Sequence, residues 1–387
     1  YPMHDFSIDR SWLDAVVREA VKQALETVME LEREVFLAEW GGKKNGYYER
    51  GLVTKHGPVR LRVPRERDGR FHTALFAPYR RRMEDLEAFA LAMYAAGIST
   101  RKVGEVLGYL LGGTYSASTI SRIAEGVLPR LEAFRKRPLK PRYAFVYLDA
   151  LFVKVFQENE GVATEAAYLA LGITEEGYRE VLGFWLLPTE SSTGWGDLLL
   201  ELKERGLEEV LLFITDELPG VETAIKRVYP KAHWQLCTVH KLRSTLRRVR
   251  RKDQDAVLRD LSSIVRASDR NEALKALNSF RGRWADKYPQ VVASWIQHSA
   301  ALLRFLDYPK ALQPVIKSAN LLERMIKEVK RTTKTRDNTF PTPDAVLKVI
   351  YFVAERYEAQ FQTRKLQGFQ QAEDEIRAIF NLRYPQA

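Results

Sequence analysis

The stretch FVYLDALFVKV, residues 145–155, reads as a β-strand that sets an aspartate, Asp149, among apolar neighbours. A buried carboxylate without a partner is costly, so such a group takes a donor, a proton or a cation. A second aspartate, Asp216, ends another apolar run, EVLLFITD (209–216). If these two strands are parallel neighbours, the carboxylates come together. Two carboxylates a few ångströms apart repel unless one is protonated or a cation lies between them. Oxygen ligands in that arrangement suit Mg²⁺ or Mn²⁺. A third carboxylate from a nearby helix would complete a two-ion phosphoryl-transfer site. Asp216 equally suits an N-cap for the helix GVETAI that follows. Asp149, deep in an apolar strand, is less easily explained as a strand-edge residue.

The third acid is harder to choose. In KSANLLERMIKEVKR (317–331), Asn320, Glu323, Lys327 and Lys330 recur at steps of three and four on one helical face. Glu323 could ligate a metal while the lysines meet phosphate. Spacing alone favours a surface Glu–Lys pairing, and the choice stays open on the residues themselves.

These side chains need elements to hold them. From residue 143 the pattern runs strand, strand, strand, helix, strand, helix, strand, ending with AHWQLCTV (232–239). The first three strands read as an antiparallel meander, with Glu175-Glu176-Gly177 as a tight turn. This is a mixed α/β domain, and its strand order with acids at those points is that of the ribonuclease-H-like fold. Residues 241–310 read as wholly helical, an insertion between the sheet and the helices of 311–387. Trp284 and Trp295 lie in that insertion, where core packing and stacking on an unpaired base are the two readings.

The N-terminal third is organised differently. Residues 11–39 form an amphipathic helix, suited to docking on its own core or to pairing with another subunit. Two short strands then flank His56-Gly57-Pro58, a hairpin turn. Arg62, Arg65 and Arg67 make this either a solvated arm or a basic ribbon contacting phosphates. Residues 83–137 read as three helices, the third starting SASTISR, in a helix-turn-helix pattern. Ser118, Thr119 and Arg122 would be the base-reading side chains; a three-helix bundle with no nucleic acid has the same pattern. RKRPLKPR (135–142) reads as a basic linker. The expected divisions are thus 1–78, 79–142, 143–240, 241–310 and 311–387.

Composition agrees with an anionic partner. The 387 residues carry 61 Lys and Arg against 50 Asp and Glu, a formal charge of +11. Seven basic and no acidic residues fall in 241–252, including Lys241, Arg243 and Arg247. Seven like charges repel unless an anion is near. The single cysteine, Cys237, excludes a disulfide within the chain and suits a reducing cytoplasm. No apolar run is long enough to cross a bilayer.

Several runs in order carry a family resemblance: NGYYERGLVTKHGPVRLRVPRERDGRF, GISTRKVGEVL, YLDALFVKV, REVLGFW, LKERGLEEVLLFITDELPGVETAI, VYPKAHWQLCTVHKLRSTL and SANLLERMIKEVKRTT. Together they resemble the Mutator-type family of bacterial insertion-sequence transposases, roughly from residue 45 to 355. The resemblance implies a ribonuclease-H-like core preceded by a helical, helix-turn-helix DNA-binding region and interrupted by an all-helical insertion. It implies an aspartate–aspartate–glutamate triad at Asp149, Asp216 and Glu323, two Mg²⁺ or Mn²⁺ ions, DNA ends and target as substrates, and a homodimer. It also implies a copy-out, paste-in route through a circular intermediate. Cys237 and His240 match a Cys-x-x-His feature of the family, which puts His240 near the active site as a phosphate contact or donor. Two departures stand out: Glu217 follows the second aspartate where a small or neutral residue is usual, and Ser318-Ala319-Asn320 replaces Thr-Thr-Asn. The rival expectations are a nuclease or resolvase that cuts without joining, a non-catalytic DNA-binding regulator and, less favoured, a tyrosine recombinase.

Overall fold

A computed structural model of the chain describes residues 10–54, 57–73, 75, 90–91, 93–94, 98, 100–111, 116–157, 161–187, 192–334 and 339–385. It divides into two compact units, residues 1–132 with 329–339, and residues 133–328 with 340–387.

In the first unit, α1 (Arg10–Trp40) buries Val21, Ala24, Leu25, Val28 and Met29, which recur at helical spacing. They pack on Val59, Leu61 and Val63, the inward alternation of β2 (Gly57–Glu66), and on Met93, Val103, Val106, Leu107 and Ile120. Of the two fates open to this helix, the structure thus shows docking on its own core. Arg33 of α1 is buried and donates to the carbonyls of Gly46 and Arg65, both at 3.3 Å. β1 (Lys44–Thr54) pairs antiparallel with β2, with Thr54 opposite Gly57 and Val53 opposite Pro58. Gly57 and Pro58 therefore open the second strand instead of forming the turn; Lys55 and His56 lie outside the described residues. The strands are also longer than expected, at 11 and 10 residues.

Helices α2 (Thr100–Leu111), α3 (Ala117–Glu125) and α4 (Leu128–Lys136) follow. The helix expected over 83–97 lies largely outside the described residues. The single helix expected from residue 116 to 137 is two. Pro129 cannot donate to the Glu125 carbonyl and its ring would clash with it, so the chain breaks at Gly126 and restarts with Pro129 in the first turn of α4.

The second unit is built on a mixed sheet. Its strands are β3 (Arg142–Gln157), β4 (Gly161–Thr174), β5 (Arg179–Leu187), β6 (Glu209–Thr215) and β7 (His233–Leu236). They lie in the order β5-β4-β3-β6-β7, and the two-residue β8 (Thr339–Phe340) pairs with β3 off this path. β3, β4 and β5 form the expected antiparallel meander, whereas β3, β6 and β7 run parallel. Gly177, with φ of 91°, closes the β4–β5 turn in a conformation that suits glycine. Helices α5 (Ser192–Glu204) and α6 (Val221–Val228) pack on one face, against Val146, Leu148, Tyr168, Ala170 and Phe213. Phe145 and Tyr147 point to the other face. There Phe145 meets Tyr308 and Phe369 edge-on, and the Tyr147 hydroxyl donates to the Val315 carbonyl at 3.2 Å.

After β7 the chain is helical: α7 (Thr238–Leu246), α8 (Arg251–Val265), α9 (Arg270–Trp284), α10 (Pro289–Gln297) and α11 (Ser299–Leu302). A 3₁₀ turn and α12 (Gln313–Ile316) lead to α13 (Asn320–Lys334), α14 (Pro343–Phe361) and α15 (Phe369–Arg383). The supposed basic linker is a tied-down segment. Arg137 pairs with Glu358 at 2.5 Å, Lys140 with Glu176 at 3.0 Å, and Arg142 with Glu209 at 2.6 Å. These charges are spent on the fold. No described helix is long and apolar enough to cross a membrane.

His233 on β7 lies 3.1 Å from the Arg383 guanidinium and 3.2 Å from the Tyr308 hydroxyl. Burial first, then the neighbouring Arg383 and Arg304, push its pKa down to about 4. The unfolded chain therefore binds a proton that the folded one refuses. Stability from this residue is complete above the unfolded value near 6.5 and is lost as pH falls toward 4. A His233→Gln variant, melted at a series of pH values, is expected to show a smaller drop in Tm between pH 6.5 and 4 than the parent.

Candidate active site

The site grows out of one line of strand register. Leu148 of β3 pairs with Thr215 of β6, and Thr215 pairs with Leu236 of β7. The next residues along the chain are Asp149, still within β3, and Asp216 and Cys237, just past the ends of β6 and β7. Parallel neighbours lie about 4.8 Å apart, so these three form a row across the sheet. The row falls where the chain, having laid β4 and β5 on one side of β3, crosses over to put β6 on the other. Open α/β sheets place their ligand sites at such switch points.

Beyond Cys237 the chain turns directly into α7, with His240 in its first turn. The Thr238 backbone N–H and hydroxyl both donate to the Lys317 carbonyl, at 3.0 and 2.9 Å. The Ala319 N–H donates to the buried Cys237 Sγ at 3.3 Å. These bonds fasten residues 317–319 to the start of α7. They therefore bring Glu323, in the first turn of α13, to His240.

His240 stands between two of the predicted acids. Its Nδ1 is in ion-pair contact with Asp216 Oδ1, and its Nε2 lies 3.1 Å from Glu323 Oε1. The adjacent Asp216 carboxylate and then the Cys237 sulfur raise the His240 pKa to about 10, against the opposing effect of burial. That direction favours the protonated ring, the form two facing carboxylates select. Arg243 Nη1 adds a second cation 3.4 Å from Glu323 Oε1. Asp149 is buried, and its Oδ1 accepts the Ala150 N–H at 2.8 Å.

Among the described residues, Asp216, Cys237 and His240 have donor atoms all within 4.8 Å of one another. Asp149, Asp216 and Glu323 do not close to that distance as a set, because the imidazole occupies the space between the last two. Asp216 and Glu323 offer carboxylate oxygens on either side of the ring, with Asp149 on the neighbouring strand, and carboxylate oxygen is the donor a hard dication takes.

The other expected contacts divide. Lys241, expected on DNA, is buried at 3% exposure. Its ammonium donates to Glu217 Oε2 at 2.9 Å and Ser294 Oγ at 2.7 Å, which withdraws it from any phosphate. Trp284, at 6% exposure, packs in the helical block and donates Nε1 to Asp260 at 2.7 Å, so it offers no face to a base. Arg243, Arg247, Asn320, Lys327 and Lys330 are exposed. In the first unit Arg62, Arg65 and Arg67 are exposed, with the Arg62 and Arg65 guanidinium groups 4.5 and 5.0 Å from the ring centres of Tyr47 and Tyr48. Arg65 and Arg67 line a cavity of about 620 Å³ together with Tyr48, Arg50, Phe71 and His72. Ser118 is exposed at the start of α3; the side chains of Thr119 and Arg122 lie outside the described residues. Sequence reasoning missed Ser294 and His298. Both sit more than 50 residues from Lys241, and no local spacing signals them.

An acid cluster at the switch point of a mixed sheet, within a strongly basic chain, defines a protein suited to chemistry on a polyanion. Comparison with known proteins names the family. The chain matches the description Transposase, Mutator family, over residues 5–364. It is 31% identical over 386 residues to the transposase for insertion sequence element IS905 of Lactococcus lactis subsp. lactis, covering 97% of this chain and 98% of that protein. It is 35% identical over 347 residues to the transposase for ISRM5 of Rhizobium meliloti, covering 87% and 86%. It is 34% identical over 295 residues to the transposase for IS256 in transposon Tn4001 of Staphylococcus aureus, covering 76% and 75%. A solved Drosophila P element transposase strand transfer complex overlaps 82% of this chain and 88% of that one, at 11% identity and a TM-score of 0.30; a likeness this low carries no argument. The chain belongs to the Mutator family of transposases.

Removing the imidazolium leaves Asp216 and Glu323 without their shared cation. His240→Asn is expected to cost about 1–3 kcal/mol in chelator. Millimolar Mg²⁺ should raise the Tm of the variant more than that of the parent, because no ring competes for the acids. Thermal melts with EDTA and with Mg²⁺ check this, and equal shifts would contradict it.

Proposed function

We propose that this transposase nicks DNA at the ends of an insertion sequence and joins the 3′-hydroxyl to target DNA, using Asp149, Asp216 and Glu323 on a ribonuclease-H-like core. The observation that carries this reading is the shared register of β3 and β6, with an aspartate one residue beyond the same paired position on each. The His240 bridge from Asp216 to Glu323 supports the third member.

Asp149, Asp216 and Glu323 would hold two Mg²⁺ or Mn²⁺ ions. Bound there, the ions would supply Lewis-acid activation of the attacking oxygen and charge stabilisation of the leaving 3′ oxygen. The protein's own groups do the rest. His240, cationic and half-exposed, turns a donor to a phosphate oxygen once its carboxylate partners are engaged. Arg243 is exposed beside Glu323 and can exchange that carboxylate for the scissile strand. Lys327 and the more distant Arg247 follow the backbone as point charges. The terminal inverted repeats are held by the basic hairpin, through Arg62, Arg65 and Arg67, and by the N-terminal side chains of α3. Two ends must be cut and joined together, which calls for a homodimer.

With pre-cleaved end oligonucleotides, the wild type is expected to give joined product in Mg²⁺ and none in EDTA. Asp149→Ala, Asp216→Ala and Glu323→Ala should each lower cleavage by at least about 10²–10³-fold, the scale of losing a group that stabilises transition-state charge. End binding should survive. Cleavage without joining would make the protein a nuclease, and cleavage undiminished in all three variants would sink the site. Arg62→Ala, Arg65→Ala and Arg67→Ala together should weaken end binding and flatten its salt dependence by about one unit per lost phosphate contact.

A further inference from the structure

Two consecutive residue pairs meet at the site. Asp216 contacts His240, and their successors, Glu217 and Lys241, contact each other. Lys241 is the buried member, and burying an ammonium at 3% exposure requires firm acceptors. It has two, Glu217 Oε2 at 2.9 Å and Ser294 Oγ at 2.7 Å. The His298 ring braces the group from α10 and its end. His298 Nδ1 lies 2.8 Å from the Ser294 carbonyl and 3.3 Å from Lys241 Nζ, while Nε2 lies 3.5 Å from Glu217 Oε1. Glu217 is half-exposed, at 49%, and Lys241 and His298 are its ion-pair partners among the described residues.

A free carboxylate at Glu217 would sit one residue from Asp216. It would add a fourth negative group to acids that already need a cation, and it could draw an ion out of position. Nothing in the chemistry of the three acids requires it. We propose that Lys241, held by the Ser294 hydroxyl with the His298 ring packed beside it, is a positioning residue that withholds Glu217 from the acid site and thereby keeps Asp216 and His240 in register. The helical block then has a positioning part in the reaction, since it supplies the acceptor and the ring that close this lock. The inference rests on reading Asp216 as a metal-holding acid.

The test uses full-length protein and four variants: Lys241→Met, Lys241→Arg, Glu217→Gln, and Lys241→Met with Glu217→Gln. Cleavage of an end oligonucleotide, end-binding affinity, Tm and Mn²⁺ binding, followed by the electron paramagnetic resonance signal of free Mn²⁺, are measured on each. Lys241→Met is expected to lose about 10–100-fold in cleavage, the scale of removing a partner that orients a metal ligand. Its end binding should not change, and it should bind more Mn²⁺ than the parent. Glu217→Gln should cleave within about twofold of the parent, as an uncharged group threatens nothing. The double variant should regain most of the lost cleavage and return to parental Mn²⁺ binding; a purely structural lysine would show neither. Lys241→Arg should keep part of the activity.

Parental cleavage and Mn²⁺ binding in Lys241→Met would overturn the inference, as would a double variant no better than Lys241→Met. Asp216→Ala separates the two levels. If it cleaves normally, the acid-site reading has failed. If it is inactive while Lys241→Met behaves as the parent, only the present inference has failed.

Discussion

Like charges repel, and the second unit of this chain holds acids where repulsion would drive them apart. Asp216 and Glu323 face a single imidazolium, and Asp149 lies next in the same strand row. Their approach is enforced by backbone. Parallel pairing runs to Leu148 and Thr215, the residues just before Asp149 and Asp216, and the bonds from Thr238 to Lys317 and from Ala319 to Cys237 fix α13 to α7. Helix, strand and thiol thus supply the rigidity that electrostatics opposes. The raised pKa of His240 is the consequence, since a neutral ring would leave the carboxylates unbalanced.

The same principle sorts the basic residues. A charge of +11 suggests a surface built for an anion, yet several of the basic residues are tied up within the fold. Arg33 ties α1 to the hairpin. Arg137 and Arg142 lock the start of β3 to α14 and β6. Lys241 is sealed inside a polar cluster. Many basic residues stay exposed, among them Arg62, Arg65 and Arg67 on β2 and its end, Arg243 on α7 and Arg247 just past it, and Lys327 and Lys330 on α13. Exposure, rather than charge count, separates residues that can meet phosphate from those that hold the protein together.

Much of the fold was legible because its signals are local. Alternating and continuous apolar runs marked β3 to β7, and glycines marked their turns. Errors arose where one residue changed the local geometry. Pro129 split a helix whose periodicity ran through it, and Pro58 entered a strand where it had suggested a turn.

The site was legible in part. An aspartate in an apolar strand and another at a strand end required only that the strands be parallel neighbours, and they are. The environments of Lys241 and Trp284 were not legible. A lysine in a run of seven basic residues and a tryptophan in an amphipathic helix look the same whether they face solvent or the interior. Only packing against Ser294 and Asp260 decides the matter. The sequence by itself determined the residue types, the strand order and the separations of the acids along the chain, because these follow from period and composition. The tertiary structure alone decided that His240 stands between Asp216 and Glu323 and that Glu217 is held by Lys241 and His298. Those contacts join residues 24 to 83 positions apart, beyond the reach of any local pattern.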